Sequence, residues 1–207
     1  ANLLAMTAKP EFSEDRVLFI EFAVSWPELT DPFYLANPVE NGNRYTWYQV
    51  FGAPDLYENG IQAEDALDAA AMEAGVLAAL EVDPGFLIDV GADLSGATVP
   101  VGVTLSAPEP IDLGGTSLFI GLYEKVVTIE PAPGLNGQTE FHHVFRDQAD
   151  SHAQPGFIDP GMPTTIVASV NRGAIDPDNL VIIAFVQRDS DKVILQGGST
   201  AVESVHP

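Results

Sequence analysis

The sequence predicts an α+β protein, a small α/β unit followed by an antiparallel β-sandwich, and three observations lead there. The hydrophobic period is helical up to residue 83 and drops to two beyond residue 85. Asp83-Pro84-Gly85 stands at the change, where Pro and Gly end whatever helix precedes them. Past it, short β-rich runs alternate with clusters of Gly, Pro, Asn and Asp, and no helix-length segment separates them. The units are accordingly placed at 1–83 and 84–207.

Taken in order, the opening Ala1-Asn2-Leu3-Leu4-Ala5-Met6 reads as the end of a helix left after removal of a leader or longer segment. Residues 17–24 (Val-Leu-Phe-Ile-Glu-Phe-Ala-Val) are nearly all apolar, as expected of a central strand covered on both faces. An aromatic, Pro-rich connection follows through Trp26-Pro27 and Asp31-Pro32-Phe33-Tyr34, then a short helical stretch over 43–48. Gly52-Ala53-Pro54-Asp55-Leu56-Tyr57 with Asn59-Gly60 reads as a Pro-initiated strand and a tight hairpin turn. An Ala-rich helix is predicted over 62–80. Leu67, Ala70, Ala74 and Leu77 form its expected buried stripe, and Glu64, Asp65, Asp68 and Glu73 are turned to water or to the helix N-terminus. The sandwich strands are predicted at 86–90, 98–106, 117–123, 125–129, 139–146, 164–170, 180–187 and 192–196.

Composition bounds the function. Of 207 residues, 46% are apolar and 18% charged, enough to build a core without disorder. Thirty acidic against eight basic residues give a net charge of −22, which repels phosphate backbones and anionic membranes, so nucleic acid is not an expected partner. A solubilising coat, cation binding and a salty habitat all fit that excess. No apolar run approaches the ~20 residues that cross a bilayer as a helix. With no cysteine, disulfides, thiolate metal ligands and a Cys nucleophile are all excluded.

The stretch Ser25-Trp26-Pro27, Asp31-Pro32-Phe33-Tyr34, Asn37-Pro38, Arg44-Tyr45, Tyr48, Val50-Phe51-Gly52-Ala53-Pro54 and Asn59-Gly60 resembles the second half of a thioredoxin-like domain. The nearest resemblance is to a family of exported, thioredoxin-like outer-membrane and surface proteins of Gram-negative bacteria. In the second half, Leu122-Tyr123-Glu124, Asn136-Gly137, His142-His143-Val144-Phe145-Arg146, Ala184-Phe185-Val186-Gln187 and Val193-Ile194-Leu195-Gln196 agree with it too. The resemblance implies a partial thioredoxin-like α/β unit ahead of the sandwich, an extracellular or outer-surface location after removal of a leader, and a cis-proline at Pro54. The family's upstream strand and helix with a Cys-x-x-Cys-like site are missing. Thiol exchange needs a low-pKa thiolate that no other side chain supplies. A sheet lacking its first strand and helix exposes an edge. Three arrangements would cover it: a bound companion fragment, a strand supplied by a neighbouring subunit, or rearrangement into a smaller unit packed on the sandwich.

Candidate site residues are few. His142 and His143 are neighbours on a predicted strand, so they point to opposite faces; with His152 nearby in a loop, His142 is a candidate metal ligand, against a plain structural role. Asp176, Asp178 and Asn179, and separately Asp189 and Asp191, form oxygen-rich turns able to take Ca²⁺, although neither matches an EF-hand loop and both stand where Asp and Asn ordinarily make turns. No Gly-x-Ser-x-Gly elbow or phosphate-binding Gly loop occurs. Trp26, Tyr34 and Trp47, with Phe33, Tyr45 and Tyr48, are read as packing at the junction of the two units, ahead of sugar stacking. The expected function is a non-catalytic secreted or cell-surface structural or adhesive protein, self-assembling by strand sharing. The alternative is a surface module binding Ca²⁺ or a small ligand, and no cofactor other than Ca²⁺ is expected.

Overall fold

A computed structural model describes residues 6, 9–13, 16–26, 29–63, 66–134, 136–150 and 152–200. The expected helix end at 1–5, Pro27, and the acids Glu64 and Asp65 lie outside them. The fold is α+β. Its helices are α1 (Pro32–Ala36), α2 (Pro38–Tyr48) and α3 (Ala69–Leu80). Its strands are β1 (Tyr57–Glu58), β2 (Ile61–Gln62), β3 (Leu87–Ala92), β4 (Thr98–Ser106), β5 (Ile111–Leu113), β6 (Thr116–Thr128), β7 (Glu140–Gln148), β8 (Gly156–Ile158), β9 (Thr164–Asn171), β10 (Leu180–Arg188) and β11 (Ile194–Ser199). A four-stranded sheet, β11-β10-β6-β7, stacks on a three-stranded one, β3-β4-β9, while β1 and β2 form a small hairpin and β5 pairs with the distant β8. The strand ladders are antiparallel throughout.

Side chains alternate across a strand, so β6 and β10 each serve two layers. Leu118, Ile120, Leu122, Ile182, Ala184 and Val186 face the three-stranded sheet and meet Val99, Val101, Val103 and Leu105 in the main core. Phe119, Tyr123, Phe145, Val181, Ile183 and Phe185 face the other way, under Leu18, Ile20 and Phe22. The strand covered on both faces is therefore β10, buried at every position from 180 to 187. β9 has one dry face only, and Val167 on its outer side is 76% exposed.

The apolar run 17–24 takes a different place from the central strand expected of it. Among the described residues it joins the sheet through one parallel bridge, Glu21 to Val144, with Glu21 N donating to His143 O (2.8 Å) and Phe145 N to Glu21 O (2.9 Å). Leu18, Ile20 and Phe22 lie on the four-stranded sheet, while Val17 and Phe19 face the third cluster around Phe12 and Met72. The run is apolar on both sides because it is a layer between sheet and helix. It needs no ladder for that.

Other expectations shift for local reasons. The 43–48 helix begins earlier, at Pro38, because Asn37 accepts from Glu40 N and Pro38 occupies the first turn. The 62–80 helix begins at Ala69, where Asp68 caps it by accepting from Ala70 N and Ala71 N. Leu67 thus precedes the helix and is 68% exposed. The expected stripe Leu67, Ala70, Ala74 and Leu77 faces outward, and the buried side carries Met72 with Val76 packed beside it. The strands expected at 117–123 and 125–129 are one strand, β6, which absorbs its irregularity as a register shift between Leu122 and Tyr123. The Pro-initiated strand reduces to the two-residue β1, and β5 and β8 were too short to announce themselves.

Candidate functional site

The residues ahead of the sandwich lie over the outer face of the four-stranded sheet without filling the space above it. A cavity of about 1600 Å³ remains, larger than the roughly 300–1,000 Å³ usual for small-ligand sites. Its floor is the strip 17–22 together with Ile183, Phe185 and Ile194; Met72, Val76 and Leu80 of α3 form one wall, and the loop through Pro54 to Gly60 another. The strip is apolar but only half-buried because the cavity lies above it.

Arg44 stands on α2 at this wall. Its guanidinium carbon lies 4.7 Å from the Tyr48 ring centroid, 5.0 Å from Phe119, 5.2 Å from Phe185 and 5.5 Å from Phe22. Arg44 Nη2 donates to Tyr48 Oη (3.1 Å), a contact set by the i,i+4 spacing on the helix. Its Nε is buried and has no hydrogen-bond partner, and among the described residues Arg44 makes no ion pair. Burial lowers its pKa from the usual value. On the opposite wall Glu58 Oε1 is likewise buried without a partner, and burial pushes that carboxyl up toward its neutral form.

The residues singled out in sequence are scattered over the molecule. Pro54 borders the cavity, and the Ala53–Pro54 bond is cis. Trp26 meets Tyr45 edge to face at 5.0 Å. Tyr34 donates its backbone N–H to the capping Asp31 Oδ1 (2.9 Å). Trp47 is 43% exposed under the Lys192 ammonium; of the expected cluster Phe33 does pack across the junction, on Phe141, and Phe22, outside that cluster, packs on Phe119 and Phe145.

His142 Nε2 sits 2.9 Å from Glu140 Oε1. Its neighbour His143 has φ 52°, which turns the two rings to within 6.2 Å of each other, so they do not point to clean opposite faces. His152 packs on Phe119, near the far end of β6 from Val126, the partner of His142. Asp176 caps the single 3-10 turn before β10 (Oδ1 to Asp178 N, 3.0 Å), Asp178 O accepts from Lys125 Nζ, and Asn179 clasps Val126 through both its N–H and carbonyl. Asp191 accepts from Arg188 Nη1 (2.7 Å) and Val193 N, and Asp189 N donates to Gly115 O. The two Asp-rich turns lie at opposite ends of β10 and do not converge on the cavity. Among the described residues, no three His, Asp or Glu side chains come together as a metal site.

In the sequence Arg44 stands out only through the resemblance, and Tyr48 through the resemblance and the aromatic cluster. The available signal was an Arg and a Tyr four apart on a helix, near an apolar run too long for its pairing.

A second cluster ties α2 to the sandwich. Glu40 Oε2 accepts from Gln148 N (3.1 Å) and from Asn37 Nδ2, and Asp147 Oδ2 accepts from Asn171 N (2.5 Å). Burial first, then repulsion from Asp147, pushes Glu40 up to about 7 from 4.5. A carboxyl whose folded pKa is raised keeps its proton longer than the unfolded chain does, so stability falls as pH rises through that window. Discounted for Glu40's partial exposure, a loss of about 1–2 kcal/mol is expected between pH 4.5 and 7. Glu40→Gln should flatten that slope and stabilise the protein at pH 8; urea denaturation at pH 5 and pH 8 checks both.

An α+β protein with a β-sandwich, an apolar cavity on its outer face and no thiol defines a class of fold and of site. The chain is similar in structure to HBP35 of Porphyromonas gingivalis, with a TM-score of 0.59 at 12% identity, over 86% of this chain and 65% of that one. The chain thus spans under two thirds of that protein, and the likeness is one of fold. A weaker match, beta-glucosidase 3B from Thermotoga neapolitana, has a TM-score of 0.27 at 15% identity over 55% of this chain and 15% of that one. No protein-family model and no curated protein matches the chain.

Proposed function

We propose that the chain is a non-catalytic binding module of the cell surface or extracellular space, holding a small apolar or amphipathic ligand between its helical layer and its sandwich. The observation that carries this reading is the cavity of about 1600 Å³ floored by a half-buried apolar strip. Apolar surface left open at that scale gains from being covered. The absence of cysteine supports a non-redox role, and the fold likeness to HBP35, with the resemblance to exported proteins, supports the location.

The neutral dye N-phenyl-1-naphthylamine tests it. Saturable fluorescence enhancement is expected, weakened when Val76→Trp or Leu56→Trp narrows the cavity from either wall in variants that keep the native circular dichroism. A second reading, self-association or capture of a companion fragment by strand addition, rests on β7, whose outer edge is bridged only at Glu21 among the described residues. Absence of saturable dye binding, with light scattering that grows with concentration, would favour that reading instead.

A further inference from the structure

Arg44 narrows the ligand. We infer that the cavity takes an amphipathic carboxylate, its hydrocarbon on the strip 17–22 and its carboxylate on the Arg44 guanidinium and the Tyr48 hydroxyl. This rests on the binding reading above and goes beyond it to the ligand's chemistry.

A guanidinium carries five N–H donors in a fixed fork and no acceptor. Around Arg44, four aromatic rings take the charge from several sides, yet ring faces satisfy donors poorly, and Nε is left buried without a partner. A buried cation without an acid is costly. In a chain with thirty acidic residues an acidic partner is the easiest thing to supply, so its absence at this spot among the described residues marks an open position.

The other two arginines on the cavity wall are engaged or outside. Arg188 pairs with Asp191 at 2.7 Å, and Arg16 is exposed and donates to Glu11 O. Six acids line the cavity with Arg44: Asp55 accepts from Tyr57 Oη and Gln62 Nε2, Asp83 and Asp112 accept from Gly85 N and Gly114 N, Asp89 lies on β3, and burial pushes both Glu21 on the floor strip and Glu58 toward their neutral forms. A carboxylate would accept charge-assisted bonds from Arg44, and its apolar tail would cover Leu18, Ile20 and Ile194. A neutral chain would cover the same floor but leave the guanidinium unmet, and a cationic one would add repulsion.

Displacement of N-phenyl-1-naphthylamine at pH 7.5 by dodecanoate and dodecyltrimethylammonium below their micelle concentrations, and by dodecanol below its solubility limit, separates these cases. Dodecanoate is expected to displace the dye at a concentration at least about tenfold lower than dodecanol, the scale of one charge-assisted contact. In Arg44→Met that ratio should fall to near one, and Arg44→Lys should retain part of it. Should these variants fail to fold, the dodecanoate-to-dodecanol ratio of the native protein decides alone. Equal potency of dodecanoate and dodecanol, dodecyltrimethylammonium as the tightest competitor, or a ratio that survives Arg44→Met would each overturn the inference while leaving the cavity reading intact. Failure of the dye to bind overturns both.

Discussion

Gly60→Ala is expected to cost about 3 kcal/mol, because two penalties fall on one methyl group. Gly60 has φ +83°, a region in which an L side chain costs about 1–2 kcal/mol. A Cβ placed there would lie 1.8 Å from Lys192 O, a backbone atom that cannot swing aside, so overpacking adds about 1–3 kcal/mol. The contact matters beyond its own energy. Asn59 O accepts from Ile194 N (2.7 Å), and Gln187 Nε2 donates to both Tyr48 Oη (2.7 Å) and Lys192 O (2.6 Å). The hairpin turn, the end of α2 and the turn between β10 and β11 are thus seated on one another beside the cavity. The loss should appear in urea denaturation as a lowered midpoint with faster proteolysis near residue 60. An unchanged midpoint would mean that the hairpin does not hold this position in solution.

Ile182→Ala should cost about 3–4 kcal/mol, within the 2–5 kcal/mol range for emptying a buried Ile site. Ile182 is 0% exposed on the central strand, fixed by Leu122 opposite on β6 and by Thr200 Oγ1 at its backbone N–H, so the space it vacates cannot collapse. Its neighbour Ile183 is the internal comparison. It is 3% exposed, faces the other layer and borders the cavity, so part of its surface already lacks a packing partner. Ile183→Ala should therefore cost less, about 2 kcal/mol. Equal losses would show that the outer layer is packed as tightly as the sandwich core.

Much of the sandwich was legible because its strands alternate and are bounded by Gly, Pro and Asp turns: 98–106 was placed to the residue, and 164–170 and 180–187 to within one. The expected strands 117–123 and 125–129 part at the charged Glu124 inside an apolar run, whereas Glu124 is held in the sheet by an ion pair with Arg146 at 2.5 Å. The buried face of α3 was not legible for a physical reason. Its twelve residues include one charge, Glu73, so there is no polar side from which to infer the opposite one. Tertiary packing chose Met72, and Gly75 sits directly against the Glu58 carboxylate. The run 17–24 is half-buried, with the sheet on one side and the cavity on the other, not covered on both faces as expected, because periodicity carries no information on what packs against a run. The candidate site was hidden for the same reason. The space above the strip is made by elements far apart in sequence, and Arg44 becomes notable only because no acid pairs with it among the described residues.

The double coverage of β10 also bears on how this chain can change over generations. On an ordinary sandwich strand every second position looks to water and drifts freely among threonine, lysine and glutamate. From 180 to 187 no such position exists: a polar replacement on one face enters the sandwich core, and on the other it enters the layer beneath residues 17–22. Residues 180–186 should consequently keep an unbroken apolar spelling in descendants whose exposed strands have become unrecognisable, ending at the buried Gln187 that is held by Tyr48 and Lys192, and they are the segment by which remote kin of this chain would be found.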